Sequence, residues 1–86
     1  MDINDLIAIV KKKLKNDINI EKINIEDKSF LHKRHLGYQK DKFHLKITIF
    51  SDELKKLDKI ESNRKIFKIL DKEMKQYIHS LQILIN

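Results

Sequence analysis

Four histidines are the side chains of this sequence that could bind a metal ion or exchange a proton near neutral pH. His32 and His35 lie within one short segment, whereas His44 and His79 stand far apart along the chain. The chain has no cysteine, which excludes disulfide bonds, thiol catalysis and a metal site built from its own thiolates. Imidazole and carboxylate groups therefore remain as its metal ligands.

The spacing of these histidines does not by itself define a metal site. His32 and His35 match no established zinc-binding spacing, and a lone histidine at the end of a strand is more often an ordinary half-buried side chain. The sequence also has no recognisable set of serine, histidine and acid, no glycine loop for phosphate and no pair of carboxylates among apolar neighbours. It therefore predicts that this protein is not an enzyme.

Among the elements that must position the histidines, the segment from 44 to 52 has the clearest sequence pattern. Its apolar and polar residues alternate, with one face formed by Leu45, Ile47 and Ile49. This alternation predicts a strand, and the pair Ser51-Asp52 predicts that a helix begins directly after it. We expect this segment to be the middle strand of a small sheet.

The amino-terminal segment predicts a helix over residues 2–16, with Asp2 as its N-cap. An apolar stripe recurs there at helical spacing: Ile3, Leu6, Ile7, Val10 and Leu14. Lysines cluster near its end: Lys11, Lys12, Lys13 and Lys15. These cations suit the negative end of the helix dipole, an interpretation that we prefer to a nucleic-acid patch.

A turn near Glu21 and a strand over residues 22–28 should follow this helix, with Ile23 and Ile25 facing the core. The next segment, residues 29–42, contains the one glycine of the chain and shows no period. Ordering its backbone would cost more free energy than burial of its few apolar side chains returns. We therefore expect part of this segment to be mobile until something binds it.

After the middle strand the sequence predicts a short helix, a longer helix that ends near Tyr77 and a strand over residues 78–85. The longer helix could begin at Asp58, which Glu61 follows as in a capping box, or at Ser62. Because no proline or glycine interrupts the stretch, one bent helix is an alternative.

These elements predict an α+β fold with the order helix, strand, strand, helix, helix, strand. The first two strands should pair antiparallel, and the helical crossover makes the second and third strands parallel. One three-stranded mixed sheet with helices on a single face results, in a single domain over residues 1–86. This topology places His44, His79 and the mouth of segment 29–42 at the same end of the sheet.

The composition favours a small binding protein of the cytoplasm. A chain of 86 residues leaves little room for an enclosed active site. No apolar run is long enough to span a membrane, and Asp2 and Asp5 stand where a targeting peptide would be basic. The net charge of +6 comes mostly from lysines spread along the chain, so it is weak evidence for nucleic-acid binding.

Four blocks of the sequence resemble the BolA family. They are residues 27–32 (DKSFLH), 44–52 (HLKITIFSD), 63–67 (NRKIF) and 78–81 (IHSL). The resemblance implies a class II KH-like fold, which agrees with the element order above. Lys56 stands where many relatives have a glycine between two helices, so the turn there should be tightened, helical or strained.

The resemblance also implies a partner and a cofactor. BolA-like proteins pair with monothiol glutaredoxins and share a 2Fe-2S cluster with them, to which the glutaredoxin and glutathione contribute thiolates. His79 matches the cluster ligand of the last strand, His32 matches a second ligand in the loop, and His35 is the alternative to it. His44 matches a histidine that supports the ligands or the fold. The isolated chain should be a monomer, and it should form a heterodimer with its partner.

A DNA-binding transcriptional regulator is the alternative, since some BolA-like proteins act on transcription and related KH folds bind nucleic acid. The chain has no G-x-x-G loop and few aromatic residues for base stacking. Binding would therefore depend on phosphate contacts from Arg64, Lys65 and Lys68, and it should weaken strongly with added salt.

Overall fold

The computed structural model describes residues 1–29 and 42–86, and within them the elements follow the predicted order. The helices and strands are α1 (Ile3–Asp17), β1 (Lys22–Asp27), β2 (Phe43–Phe50), α2 (Asp52–Lys55), α3 (Lys59–Ile69), α4 (Asp71–Gln76) and β3 (Ile78–Ile85). The predicted mobility of segment 29–42 concerns residues 30–41, which lie outside the described residues.

The strands β1, β2 and β3 form one mixed sheet in that order. The central strand β2 is antiparallel to β1 and parallel to β3. In this register Ile47 of β2 lies between Ile25 of β1 and Ile83 of β3. The predicted strand order and directions are therefore confirmed.

One face of the sheet is buried by the helices. The buried apolar side chains form one cluster: Leu6, Val10, Leu14, Ile18, Ile25, Leu45, Ile47, Ile49, Leu54, Ile66, Leu70 and Ile78. On the opposite face of β2, Lys46 and Thr48 are half-buried and Phe50 is exposed. The alternation along β2 thus directs its aliphatic side chains toward the helices, as predicted.

Side-chain caps determine where α2 and α3 begin. Ser51 Oγ accepts a hydrogen bond from the backbone N–H of Leu54 at 3.2 Å at the start of α2. Asp58 Oδ1 accepts one from the backbone N–H of Glu61 at 2.8 Å at the start of α3. Of the two predicted starts, Asp58 is therefore correct, and Ser62 lies inside α3.

The long second helix that the sequence predicts is divided in two. Leu70 has φ −96° and ψ 18°, which ends α3, and α4 follows at once. Leu70 is fully buried, and Glu73 of α4 pairs with Lys13 of α1. These tertiary contacts favour a bend that the apolar periodicity of the segment does not indicate. No helix in the described part of the chain has the length and apolarity needed to cross a membrane.

Two helix termini agree in part with the prediction from the sequence. Lys56 has φ −75° and ψ −15°, so the turn between α2 and α3 is helical and unstrained without a glycine. Asp2 occupies the N-cap position of α1, but its side chain makes no capping hydrogen bond. The α1 helix spans 3–17 rather than 2–16.

Candidate metal-ligand site

Histidines from β2 and β3 meet at one end of the sheet. The parallel register pairs His44 with Ser80, and an irregularity between Phe43 and His44 shifts the pairing at this point. The ring centroids of His44 and His79 are 4.9 Å apart, and the ring planes are inclined by 54°. The predicted proximity of these two histidines is therefore confirmed.

His44 is held inside the protein. It is 5% exposed, and its Nδ1 lies 2.6 Å from Ser80 Oγ. Its backbone N–H donates to Ser29 Oγ at 3.0 Å, and its carbonyl accepts from the backbone N–H of Lys28 at 2.7 Å. A buried and hydrogen-bonded ring is suited to support a neighbouring side chain rather than to reach a metal held by another molecule.

His79 is exposed at the start of β3. The backbone before it is anchored, since Ile78 is 1% exposed and Phe43 N–H donates to the Tyr77 carbonyl at 2.8 Å. The imidazole therefore extends from a fixed strand start while it remains accessible to solvent. Imidazole in this setting can coordinate iron, copper or zinc that a second molecule presents.

His32 and His35, the two predicted loop ligands, lie outside the described residues. The segment that contains them begins beside the histidine pair, because Ser29 contacts His44 and Lys42 directly precedes β2. Within residues 1–29 and 42–86, no group of three or more histidine, cysteine or acidic side chains is placed to hold a metal ion.

The three residues of the nucleic-acid alternative lie on α3 but differ in their surroundings. Arg64 and Lys68 are exposed, whereas Lys65 Nζ lies 3.0 Å from Glu53 Oε2. This hydrogen bond from Lys65, together with one from the backbone N–H of Asn19, holds the pKa of Glu53 below its usual value of 4.5. Lys65 thus connects α3 to α2.

Ser80 is the site residue that sequence reasoning missed. Its hydroxyl contacts the ring of His44, and its position follows from the strand pairing. The sequence had no signal for it, because Phe43 pairs with Ile78, and only the irregularity between Phe43 and His44 brings Ser80 beside His44. A hydroxyl at that position can hydrogen-bond a buried imidazole.

The chain is similar to known proteins over most of its length. Residues 14–86 match the family model described as BolA-like protein. The chain is 27% identical over 75 residues to a protein of Haemophilus influenzae named DNA-binding transcriptional regulator BolA, with 87% of this chain and 70% of that protein covered.

Solved structures share the fold. The BolA domain of SufE1 from Arabidopsis thaliana has a TM-score of 0.77 at 25% identity, and BolA1 from the same plant has a TM-score of 0.75 at 22% identity. Each comparison covers 92% of this chain and 87% of the other. With the family match over residues 14–86, these findings establish that the chain belongs to the BolA-like family.

Proposed function

We propose that this chain is a binding protein that pairs with a monothiol glutaredoxin and shares a 2Fe-2S cluster with it, in iron–sulfur trafficking or iron-dependent regulation. In this proposal it acts in the cytoplasm, has no catalytic activity and changes from a monomer to a heterodimer when it meets its partner. The observation that best supports the proposal is the exposed imidazole of His79 on the anchored start of β3.

The donor groups at this end of the sheet suit a cluster that two molecules share. His79 offers imidazole to solvent, whereas the chain has no cysteine, so thiolate ligands have to come from the glutaredoxin and glutathione. A cluster with imidazole in place of thiolate has a higher reduction potential. The neighbouring ring of His44, 4.9 Å away, limits the orientations that His79 can take.

The proposal is tested by mixing the chain with a monothiol glutaredoxin that holds its cluster and glutathione. We expect the native chain to change the visible absorption and circular dichroism of the cluster. His79→Ala should remove this change without loss of the fold, because the side chain is exposed. Gln82→Ala, at an exposed position of the same strand, is the matched control and should behave as the native chain does.

Substitution of the loop histidines completes this experiment. If one of them supplies the second ligand, either His32→Ala or His35→Ala should reproduce the effect of His79→Ala. Spectra that do not respond to the native chain, or that respond equally to the His79→Ala variant, would exclude the proposed shared cluster.

A DNA-binding regulator is the second candidate, which the name of the Haemophilus influenzae relative favours. Exposed Arg64 and Lys68 would supply phosphate contacts, whereas Lys65 is already paired with Glu53. Fluorescence anisotropy with a labelled duplex at several salt concentrations tests this candidate. Each of Arg64→Ala and Lys68→Ala should reduce the salt slope by about 0.9. Sequence-selective binding that persists above ~0.2 M salt would favour it over the first.

A further inference from the structure

A groove of about 400 Å³ runs along the outer edge of β3, at the end of the strand away from His79. One wall is formed by Leu54 and Leu57 with the start of α3, and the other by residues 83–85 of β3. Since a strand rises about 3.3 Å per residue, the groove lies roughly 16 Å from the candidate ligand. It is therefore a separate surface.

The backbone of β3 turns hydrogen-bonding groups toward this open edge. Asn86 N–H donates to the Ile49 carbonyl at 2.8 Å, and the Asn86 carbonyl accepts from Ser51 N–H at 3.1 Å. Because successive residues of a strand direct these groups to opposite sides, the N–H and C=O groups of Ile83 and Ile85 point away from β2. Within residues 1–29 and 42–86 no other strand pairs with this side of β3, so these groups can pair with an added strand.

The sequence of β3 lacks the residues that usually prevent an edge strand from pairing with another chain. Its eight residues, IHSLQILI, include no Lys, Arg, Asp, Glu, Gly or Pro, although edge strands are usually interrupted by charges, proline or bulges. Leu84 is 42% exposed beside the groove. A long apolar edge of this kind is the surface on which extended peptides add a strand.

The charges beside the groove indicate the character of its occupant. Lys55 and Lys59 are the charged residues that line it, and both are exposed. A second copy of the chain that occupied this groove, paired about a twofold axis near Leu84, would bring these lysines toward their counterparts. Carboxylates would instead be attracted to them.

We propose that this groove and the β3 edge bind an extended segment of a partner protein whose side chains at every second position, the ones that face the groove, include both apolar and acidic groups. Its apolar side chains enter the groove beside Ile83 and Ile85, its carboxylates pair with Lys55 and Lys59, and its backbone adds a fourth strand to the sheet. This interaction goes beyond the shared cluster and does not depend on it, because it uses the opposite end of β3.

An NMR titration of the ¹⁵N-labelled chain tests the inference with a capped ten-residue peptide that repeats valine, threonine, glutamate, threonine, so that valine and glutamate share one face of the strand. The amides of Leu81, Ile83 and Ile85 should shift more than those of Gln82 and Leu84. The same peptide with lysine in place of glutamate, and the glutamate peptide methylated at every backbone nitrogen, should cause no such shifts. The methylated peptide has the same charges but cannot donate hydrogen bonds to the edge.

Charge reversal in the groove provides the second readout. Lys55→Glu combined with Lys59→Glu should weaken binding roughly tenfold. Lys12→Glu combined with Lys15→Glu, at exposed positions of α1, is the matched control and should leave most of the affinity. Absence of shifts in β3, equal binding of the lysine peptide or full affinity of the groove variant would overturn the proposal. Dimerisation of the chain through the same amides would also overturn it.

Discussion

Lys13 Nζ lies 2.8 Å from Glu73 Oε2 and 2.9 Å from its Oε1, which joins α1 to α4 across 60 positions of the chain. Glu73 is 4% exposed, whereas the Lys13 side chain is 39% exposed. A carboxylate removed from water needs a partner, because its desolvation is unfavourable. This ion pair therefore helps to place α4, the helix that leads directly to His79.

Lys13→Met should lower the free energy of unfolding by about 1–3 kcal/mol, because it leaves the Glu73 carboxylate buried without its cation. Lys12→Met, at an exposed position of the same helix, should change it by no more than ~0.5 kcal/mol. Urea denaturation of both variants measures the difference. Adding Glu73→Leu to Lys13→Met should restore most of the loss, and equal stability of the two lysine variants would show that the pair contributes nothing.

Glu53 should make the stability of the protein depend on acid pH. Its pKa is lowered mainly by the hydrogen bond from Lys65 and then by that from the backbone of Asn19. A carboxyl group with a lowered pKa stabilises the native state above its usual value of 4.5, and this contribution is lost as the pH falls through the lowered value. Glu53→Gln should therefore reduce the decline in stability just below pH 4.5. Denaturation curves over this range for native, Glu53→Gln and Lys65→Met chains measure it, and parallel declines in all three would contradict the assignment.

The strands could be predicted from the sequence because their pattern is local. Leu45, Ile47 and Ile49 alternate with polar residues, and the observed bounds of β3 equal the predicted range 78–85. The bend at Leu70 could not be predicted in the same way, since it accompanies contacts between residues that are distant in the sequence. A local pattern contains no information on such contacts.

The candidate site, too, could be predicted from the sequence only in part. Strand directions were enough to bring His44 and His79 to one end of the sheet, and the rings are indeed neighbours. They could not show that His44 is buried and His79 exposed, because both histidines stand at the start of a strand. That difference depends on the shifted register at Phe43 and on the hydroxyl of Ser80.

Lys56→Gly tests the finding that the turn between α2 and α3 is helical without a glycine. Because Lys56 has φ −75°, glycine relieves no strain there and only increases the conformational entropy of the unfolded chain. We expect the free energy of unfolding to fall by about 0.5–1 kcal/mol. Lys56→Ala should leave it nearly unchanged, and thermal or urea unfolding measures both. A glycine variant more stable than the alanine variant would indicate strain at this turn.

Ser80→Ala tests whether the serine hydroxyl holds the ring of His44 in place. Loss of the 2.6 Å contact between Ser80 Oγ and His44 Nδ1 should lower the free energy of unfolding by about 0.5–1.5 kcal/mol, the usual contribution of a hydrogen bond. Ser80→Thr keeps the hydroxyl on a strand position that favours β-branched residues, so it should retain most of that stability.

The ¹⁵N and ¹H NMR signals of the two imidazoles report on the geometry of the pair in the same variants. Because the rings are neighbours, we expect the signals of both His44 and His79 to shift in Ser80→Ala. They should stay close to those of the native chain in Ser80→Thr. If the alanine variant matches the native chain in stability and in both imidazole spectra, the hydroxyl does not position the pair, and His79 must be oriented by the backbone of β3 alone.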